Sequence, residues 1–333
     1  MKLEKLSTAQ QLPSEWDTLC DSYFQKKEFL HYCDQFNPCQ QRYYLLIESG
    51  QLLAGAIVYT LYIDLFTFSK VKSPIKMQVI GIPVSVSASG IIGKKEQLEH
   101  LLQLIFKKER GLLLGLNLSP QIDAAPGIRM PVLPNIEMEL PFSSWKAYLE
   151  RLRSPYRRRV HRIQEKFKGV SSQLSSCKHF TKEHYQLYLA IMKRTPNKLE
   201  IIPFSFFQNL PKRFQLCTYS IENSMLCWHI SCKEGKRFYF FFGGNNYKEL
   251  SSFDSYFNNL FGILKTAINE KSNYLDLGQT AEVPKMRLGG QLVPKQMVLF
   301  HRNKVFFWLL KRLQRFIAYN AQFPAVKVFK TTK

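Results

Sequence analysis

The chain has 333 residues, of which 45% are hydrophobic, and it carries a formal net charge of +22 at pH 7. This hydrophobic content excludes an intrinsically disordered chain, and the length is sufficient for two domains of ordinary size. The positive charge indicates an anionic partner, such as a phosphorylated substrate, a nucleic acid or an acidic membrane face. Because net charge alone is weak evidence of function, a basic protein without such a partner is the alternative.

The cysteines and the N-terminus indicate where the protein works. The seven cysteines are odd in number and scattered, which favours a reducing compartment over a disulfide framework. Cys227 and Cys232 flank His229, but the alternating apolar residues around them predict a buried strand, and no second cluster of metal ligands accompanies them. The N-terminus has no apolar core of signal-peptide length. We therefore expect a cytoplasmic protein without a metal site.

The first half is predicted to alternate strands and helices. A helix is expected over residues 14–22, after Pro13, and a β-hairpin over 42–68, where Gly50 separates two apolar runs. Residues 77–93 are predicted as a strand followed by a loop that contains three glycines. Leucines at helical spacing predict a helix over 94–110, and the apolar run 112–118 predicts a strand.

A proline-rich segment follows at 120–141 and is interpreted as a linker, with a domain boundary near residue 135. Residues 142–152 are predicted to form a helix with a serine N-cap. The second half then contains three expected strands, at 214–223, 224–235 and 236–246. A helix over 251–271 and strands at 274–278 and 291–300 complete it. Each half therefore has the same order: hairpin, strand, glycine loop, helix, strand.

The segment between the third strand and the long helix of the second half is the best candidate for a pyrophosphate site. Glycines let backbone N–H groups approach an anion, and a helix N-terminus adds free N–H groups and the positive end of its dipole. The candidate ligand-binding residues are Gly243, Gly244, Asn245, Asn246, Tyr247, Lys248, Ser251 and Ser252. The alternative is a plain glycine turn before a capped helix, since the RxxGxG pattern of many acetyltransferases is absent.

Two basic segments are further candidates for binding sites. In the run at 153–168, Arg158, Arg162 and Lys166 are predicted to share a helix face that suits phosphate, unless the face is merely solvated. The tail from His301 to Lys333 has eight Lys and Arg residues and no acidic residue. Its residues 305–319 form an amphipathic pattern, which predicts either contact with an anionic membrane or packing on the first half.

The second half resembles the C-terminal lobe of the Fem-type and related tandem members of the GNAT-fold acyltransferases. The resemblance lies in FFGGNNYKEL, the long helix after it, NYLDLGQTAEVPKMRLGG, and the final strand ending in HRN. It implies an α/β (α+β) fold of two tandem GNAT-like lobes, each a mixed, mostly antiparallel sheet flanked by helices. The implied domains are residues 1–135 and 136–303, with a basic tail at 304–333.

The resemblance also implies a chemistry. An amine attacks the activated carbonyl of an acyl-CoA, or of an aminoacyl-tRNA in Fem-type relatives, while the enzyme orients both substrates and stabilises the oxyanion. By analogy Lys285 faces the cleft, Arg287 assists in binding substrate, and Asp276 or Glu282 is the general base. Lys285 as a solvated loop residue, and Asp276 as a purely structural one, are the alternatives.

These observations predict an N-acyltransferase that uses acyl-CoA as co-substrate and needs no metal. The acceptor is an amine on a small molecule, or on a cell-envelope or lipid-linked precursor, and contact with the inner membrane face would make the protein peripheral. One alternative is an aminoacyl-tRNA-dependent Fem-type peptidoglycan transferase. Another is a non-catalytic protein that binds nucleic acid or anionic lipid, although the sequence has no mark of a known nucleic-acid module.

Overall fold

The computed structural model describes residues 1–68, 73–195, 199–222 and 224–331, and it divides into two compact units. Unit 1 comprises Met1–Leu133, Pro196–Pro203 and Pro294–Ala321. Unit 2 comprises Pro134–Thr195, Phe204–Val293 and Gln322–Lys333. Residues 304–333, which the sequence suggested as a separate tail, are divided between the two units.

The elements up to residue 139 alternate between strands and helices. In chain order they are β1 (Lys2–Leu6), α1 (Lys27–Phe36), β2 (Arg42–Glu48), β3 (Gln51–Asp64), β4 (Pro74–Ile80), β5 (Ile91–Gly93), α2 (Lys95–Lys108), β6 (Leu112–Leu118) and β7 (Ile128–Glu139). The predicted hairpin, the helix after the glycines and the strand at 112–118 are thereby confirmed.

The remaining elements begin with the two helices that follow the proline-rich segment. They are α3 (Trp145–Arg151), α4 (Ser154–Glu165), β8 (Ser171–Ser176), α5 (Lys182–Arg194), α6 (Phe204–Gln208), β9 (Phe214–Ile221), β10 (Ser224–Glu234), β11 (Arg237–Asn245), α7 (Leu250–Phe253), α8 (Ser255–Asn269), β12 (Tyr274–Asp276), α9 (Glu282–Met286), β13 (Gln291–Phe300) and α10 (Lys304–Ile317). The three predicted strands and the predicted N-cap are confirmed, while the predicted long helix is found as two helices, α7 and α8. The N-cap is Ser144, whose Oγ accepts a hydrogen bond from Ala147 N at 3.1 Å.

The sheet of unit 1 has the order β1-β2-β3-β4-β6-β13, and β5 pairs with β3. All of these pairs are antiparallel except β4 with β6, which is parallel because helix α2 carries the chain back between them. The core of this unit fills both faces of its sheet, with α2 on one face and α10 on the other.

The sheet of unit 2 has the order β7-β12-β11-β10-β9-β8. Again one pair is parallel, β11 with β12, and helix α8 connects the two strands. The apolar face of α8 packs with α3 and α4 against this sheet. Both units therefore contain an antiparallel meander that ends in a strand–helix–parallel strand unit, which confirms the repeated order of elements expected from the sequence.

Three expectations about local structure need correction. Residues 14–22 do not form an α-helix: Ser14–Leu19 is a short 3-10 helix, and a second one, Tyr23–Gln25, begins after Ser22, whose Oγ accepts a hydrogen bond from Phe24 N. The proline-rich linker contains strand β7, whose Pro131 and Pro134 lie before the residues that pair with β12, 137–139. Strand β8, sequence SSQLSS, was not predicted because it is almost entirely exposed and lacks an apolar pattern.

Within the described ranges, no helix has both the length and the apolar character required to cross a bilayer. The same part of the chain holds no cluster of three or more His, Cys, Asp or Glu side chains arranged to bind a metal ion. Cys227, His229 and Cys232 are buried on strand β10, and His229 Nδ1 lies 2.6 Å from Asn259 Oδ1.

Candidate functional site

The glycine pair of unit 2 lies in a strand and not in a loop, which corrects the sequence interpretation. Gly243 and Gly244 belong to β11, where they face His229 and Trp228 of β10. A Cβ atom at Gly244 would lie 2.1 Å from Trp228 Nε1, which donates a hydrogen bond to His184 O at 2.9 Å. Glycine is therefore required at this position for close packing of a buried indole, rather than for a phosphate-binding turn.

Hydrogen bonds from Asn246 connect the loop that follows β11 to strand β10 and to Lys248. Asn246 N donates to Leu226 O at 2.8 Å, and the Asn246 side chain contacts both Met225 O and Lys248 N. Asn245 is buried, and its Oδ1 has no hydrogen-bond partner among the residues that the structure describes. The predicted long helix is interrupted at Asp254, which has a left-handed backbone and separates α7 from α8.

The remaining loop residues of the predicted pyrophosphate site have different environments. Tyr247 lies beneath the Arg194 guanidinium, which is 4.0 Å from its ring centroid. Lys248, Ser251 and Ser252 are exposed. Their role in ligand binding therefore remains a prediction.

An open cleft of about 470 Å³ lies beside this loop, but its lining does not suit an anion. Glu222 and Glu249 contribute carboxylates to it, together with Ile221, Ser224 and Phe253. Two carboxylates in a cleft repel phosphate oxygens, so positive charge for an anion must come from another element.

Helix α4 supplies that positive charge. The Arg159 guanidinium stacks 4.7 Å from the centroid of the Phe257 ring, in the first turn of α8. Its pKa is lowered by partial burial and then by the neighbouring charges of Arg287 and Arg162. We call Arg159, Arg162 and Arg287 the arginine cluster; like charges placed together favour an anionic ligand that would relieve their repulsion.

The arginine cluster differs from the set predicted from sequence. Arg158 is exposed and donates to Ser154 Oγ at 2.8 Å, within its own helix. Lys166 lies one turn beyond Arg162 and its Nζ reaches Asp254 Oδ2 at 3.0 Å. Arg159 was overlooked, although its spacing of three residues from Arg162 and seven from Lys166 marks one helix face.

Helix α9 connects this cluster to the interior of unit 2 through Lys285, which is 2% exposed. The Lys285 Nζ donates to Gly278 O at 3.1 Å and to Gln279 O at 2.7 Å. Burial lowers the pKa of Lys285 to about 7, and the carboxylates of Asp276 and Glu282 oppose that change. The side chain is therefore neither a solvated loop lysine nor openly exposed to a cleft; it is buried and fastens the turn before α9.

Asp276 is the last residue of β12 and is buried beside Lys285. Its Oδ1 accepts from Gly278 N at 2.8 Å. Burial raises the pKa of Asp276, as does the charge of Glu137, while Gly278 N, Asn135 and Arg237 lower it. A carboxylate whose pKa is raised is a stronger base than an exposed one, which suits the role of general base.

Three polar residues that sequence reasoning missed complete this network. Arg237 Nη1 binds Glu137 Oε2 at 2.8 Å, and Asn135 Nδ2 donates to Glu137 Oε1 at 3.0 Å. Asn135 and Glu137 lie on β7, in the segment interpreted as a linker, so no pattern connected them to Asp276 before the strand pairing was known.

The polar network lies where two parallel strands separate. Strands β11 and β12 share three register pairs, from Arg237–Tyr274 to Tyr239–Asp276, and no further pair occurs in the described part of either strand. Beyond this point a β-bulge opposite Ile230 and Ser231 bends β11. Asp276 and Lys285 thus lie at the point of separation, and the charge of Glu282 acts on Lys285, while Arg287 is exposed.

The glycine-rich segment of unit 1 does not form an equivalent site. Gly81 N donates to Ile57 O at 3.1 Å, Ile57 N donates to Gly90 O at 2.8 Å, and Gly93 pairs with β3 as part of β5. A Cβ atom on Gly90 would lie 2.3 Å from Gly81 N. These backbone groups are used within the sheet, so unit 2 holds the better candidate site.

Comparison with known proteins gives matches at the level of structure alone. No known family's sequence profile matches the chain, and no curated protein matches it. The solved structure of FemX matches with a TM-score of 0.57 at 12% identity, over 92% of this chain and all of that one. The C-terminal domain of a putative lysylphosphatidylglycerol synthetase from Agrobacterium fabrum matches with a TM-score of 0.55 at 10% identity, over 89% and 92% of the two chains. The chain therefore has the fold of FemX, and the Fem-type resemblance expected from the sequence is confirmed at the level of the fold.

Proposed function

We propose that the protein is an N-acyltransferase that moves an acyl group from acyl-CoA to an amine, with its donor site in unit 2. The observation that carries this proposal is the arginine cluster beside the first turn of α8, next to the separated strands β11 and β12. Arg159, with two further guanidinium groups within electrostatic reach, suits the phosphates of coenzyme A, because guanidinium forks bind phosphate oxygens bidentately.

The proposed reaction needs two things from the residues between β11, β12 and α9. The attacking amine must lose a proton, and the carbonyl oxygen gains negative charge as the C–N bond forms. That charge returns to the carbonyl when the C–S bond breaks, and coenzyme A leaves as a thiolate that takes up a proton. Asp276, with its raised pKa, is the first candidate for the base and Glu282 is the second. The Lys285 ammonium supplies a nearby positive charge. Because the pKa of this group is about 7, it can exchange a proton near neutral pH.

For the acceptor we propose an amine on a cell-envelope or lipid-linked precursor. The name of one structural neighbour denotes the synthesis of lysylphosphatidylglycerol, which is a lipid carrying an aminoacyl group. That name supports a lipid acceptor and also the second candidate function, aminoacyl transfer from tRNA, whose phosphates the arginine cluster would equally accept. The third candidate function is that of a non-catalytic protein that binds nucleic acid or anionic lipid.

Titration of the protein with coenzyme A, acetyl-CoA and tRNA by calorimetry tests the proposal. We expect acyl-CoA to bind and Arg159→Ala to weaken its binding by about tenfold, since one charge-assisted contact with phosphate is lost. Arg158→Ala is the matched control because Arg158 lies on the same helix but outside the cluster.

Each other result has a definite meaning. If neither coenzyme A nor acetyl-CoA binds while tRNA binds with an affinity that falls steeply with salt, the acyl-CoA proposal is wrong and the tRNA-dependent one is favoured. If Arg158→Ala weakens coenzyme A binding as much as Arg159→Ala, the arginine cluster is not the phosphate site.

A further inference from the structure

Helix α10 has a broad apolar surface, and only one side of it packs against the core of unit 1. Leu310 and Ile317 are buried in the core of that unit, where Phe306, Phe307 and Leu313 pack against it. The packing predicted for this amphipathic segment is therefore confirmed for one face. The other large apolar residues of the helix do not pack in this core.

The outward face carries large apolar side chains in contact with solvent. Val305 is 76% exposed, Trp308 56%, Leu309 44% and Phe316 48%. Their spacing of three, four and eleven residues from Val305 places them in one stripe along the helix. A stripe of this kind on the surface of a protein marks a site of contact with another surface.

Positive charge borders this stripe. At 100° per residue, Lys304, Lys311 and Arg315 fall on one side of it, and Arg312 lies within it. The Arg312 guanidinium is 5.2 Å from the Trp308 ring centroid, and that of Arg315 is 4.7 Å from the Phe316 ring centroid. No acidic residue occurs anywhere from His301 to Lys333, so the partner of this face is anionic.

An anionic bilayer surface meets both requirements at once. Aromatic and aliphatic side chains enter the boundary between headgroups and acyl chains, while Lys and Arg bind the phosphates above it. A nucleic acid would use the cations but has no place for a stripe of Val, Leu and Phe. We propose that the outward face of α10 docks the protein on an anionic membrane, with Trp308, Leu309 and Phe316 inserted.

This inference does not depend on the proposed reaction, since it concerns a face of unit 1. Its test is co-sedimentation of the full chain with vesicles of phosphatidylcholine, with or without about 30 mol% phosphatidylglycerol. We expect binding to the anionic vesicles alone, and a blue shift of the tryptophan emission that is lost in Trp308→Phe. The triple variant Trp308→Ala, Leu309→Ala, Phe316→Ala should bind about tenfold more weakly and remain folded, because these side chains are exposed.

Two controls test whether vesicle binding depends on this stripe in particular, rather than on any exposed apolar side chains, and whether the anionic preference comes from the neighbouring cations. Tyr62→Ala with Leu174→Ala removes two equally exposed apolar side chains elsewhere and should leave binding unchanged. The variant Lys304→Gln, Lys311→Gln, Arg315→Gln should abolish the preference for anionic vesicles. Equal vesicle binding by the wild type and the triple alanine variant overturns the proposal. It is also overturned if the wild type fails to bind, or if duplex DNA displaces the vesicles and binds the triple alanine variant normally.

Discussion

Between pH 7 and pH 10, the free energy of unfolding of the wild type should rise relative to that of Lys285→Met by about 1.4 kcal/mol per pH unit. Lys285 has a folded-state pKa of about 7, well below its ordinary value of 10.5, because the ammonium is buried. In this window the unfolded chain binds more protons at this residue than the folded chain does. Stability therefore increases with pH until the unfolded lysine also loses its proton.

The measurement is urea denaturation of both proteins at a series of pH values. Below pH 7 the lysine is protonated in both states, so the difference between the two proteins should become constant. Titrations of other groups, such as buried tyrosines and cysteines, occur in both proteins and cancel in the difference. Lys236→Met is a control, since Lys236 is exposed in the turn between β10 and β11. Parallel stability curves for the wild type and Lys285→Met would show that Lys285 is not desolvated.

Gly244→Ala should lower the free energy of unfolding by about 2–4 kcal/mol. The new Cβ would lie 2.1 Å from Trp228 Nε1 and 2.9 Å from Leu187 Cβ, so a fully buried indole would have to move and lose its bond to His184 O. Chemical denaturation, followed by tryptophan fluorescence, measures the loss.

Gly115→Ala is the matched control for this variant. Gly115 also lies in a central strand, but its nearest neighbour would be Leu118 Cδ1 at 3.2 Å, at the far end of a flexible side chain. We expect this control to lose much less stability. A stable Gly244→Ala with weakened coenzyme A binding would contradict the packing role and restore the glycine pair as part of a phosphate site.

Most strands and helices could be predicted because their patterns are local. Alternation identified β9 to β11 and β13, and helical spacing identified α2 and the greater part of α8. Two strands were not predicted because their local sequence lacks a strand pattern or contradicts one. Strand β8 has no apolar face to detect, and β7 contains prolines that argue against a strand unless its pairing partner is known.

Some residues of the candidate site could be selected from the sequence, but their contacts could not be predicted from it. Lys285, Asp276 and Glu282 were chosen from one short segment, and the structure brings them together because β12 and α9 are adjacent in sequence. The partners Glu137 and Arg237 lie 100 residues apart and meet only through the β7–β12–β11 pairing. The spacing of Arg159 from Arg162 and Lys166 could have placed it on one helix face, but its contact with α8 and its proximity to Arg287 depend on tertiary structure.

The amino-acid sequence by itself determined the repeated order of strands and helices, the strongly basic surface and the apolar character of α10, because propensity, periodicity and charge are local or additive properties. Tertiary structure alone decided that the glycines accommodate an indole, that Lys285 is buried, that positive charge comes from α4, and that α10 keeps part of its apolar surface in solvent. These four facts depend on which surfaces meet, and that is set by the packing of segments far apart in the chain.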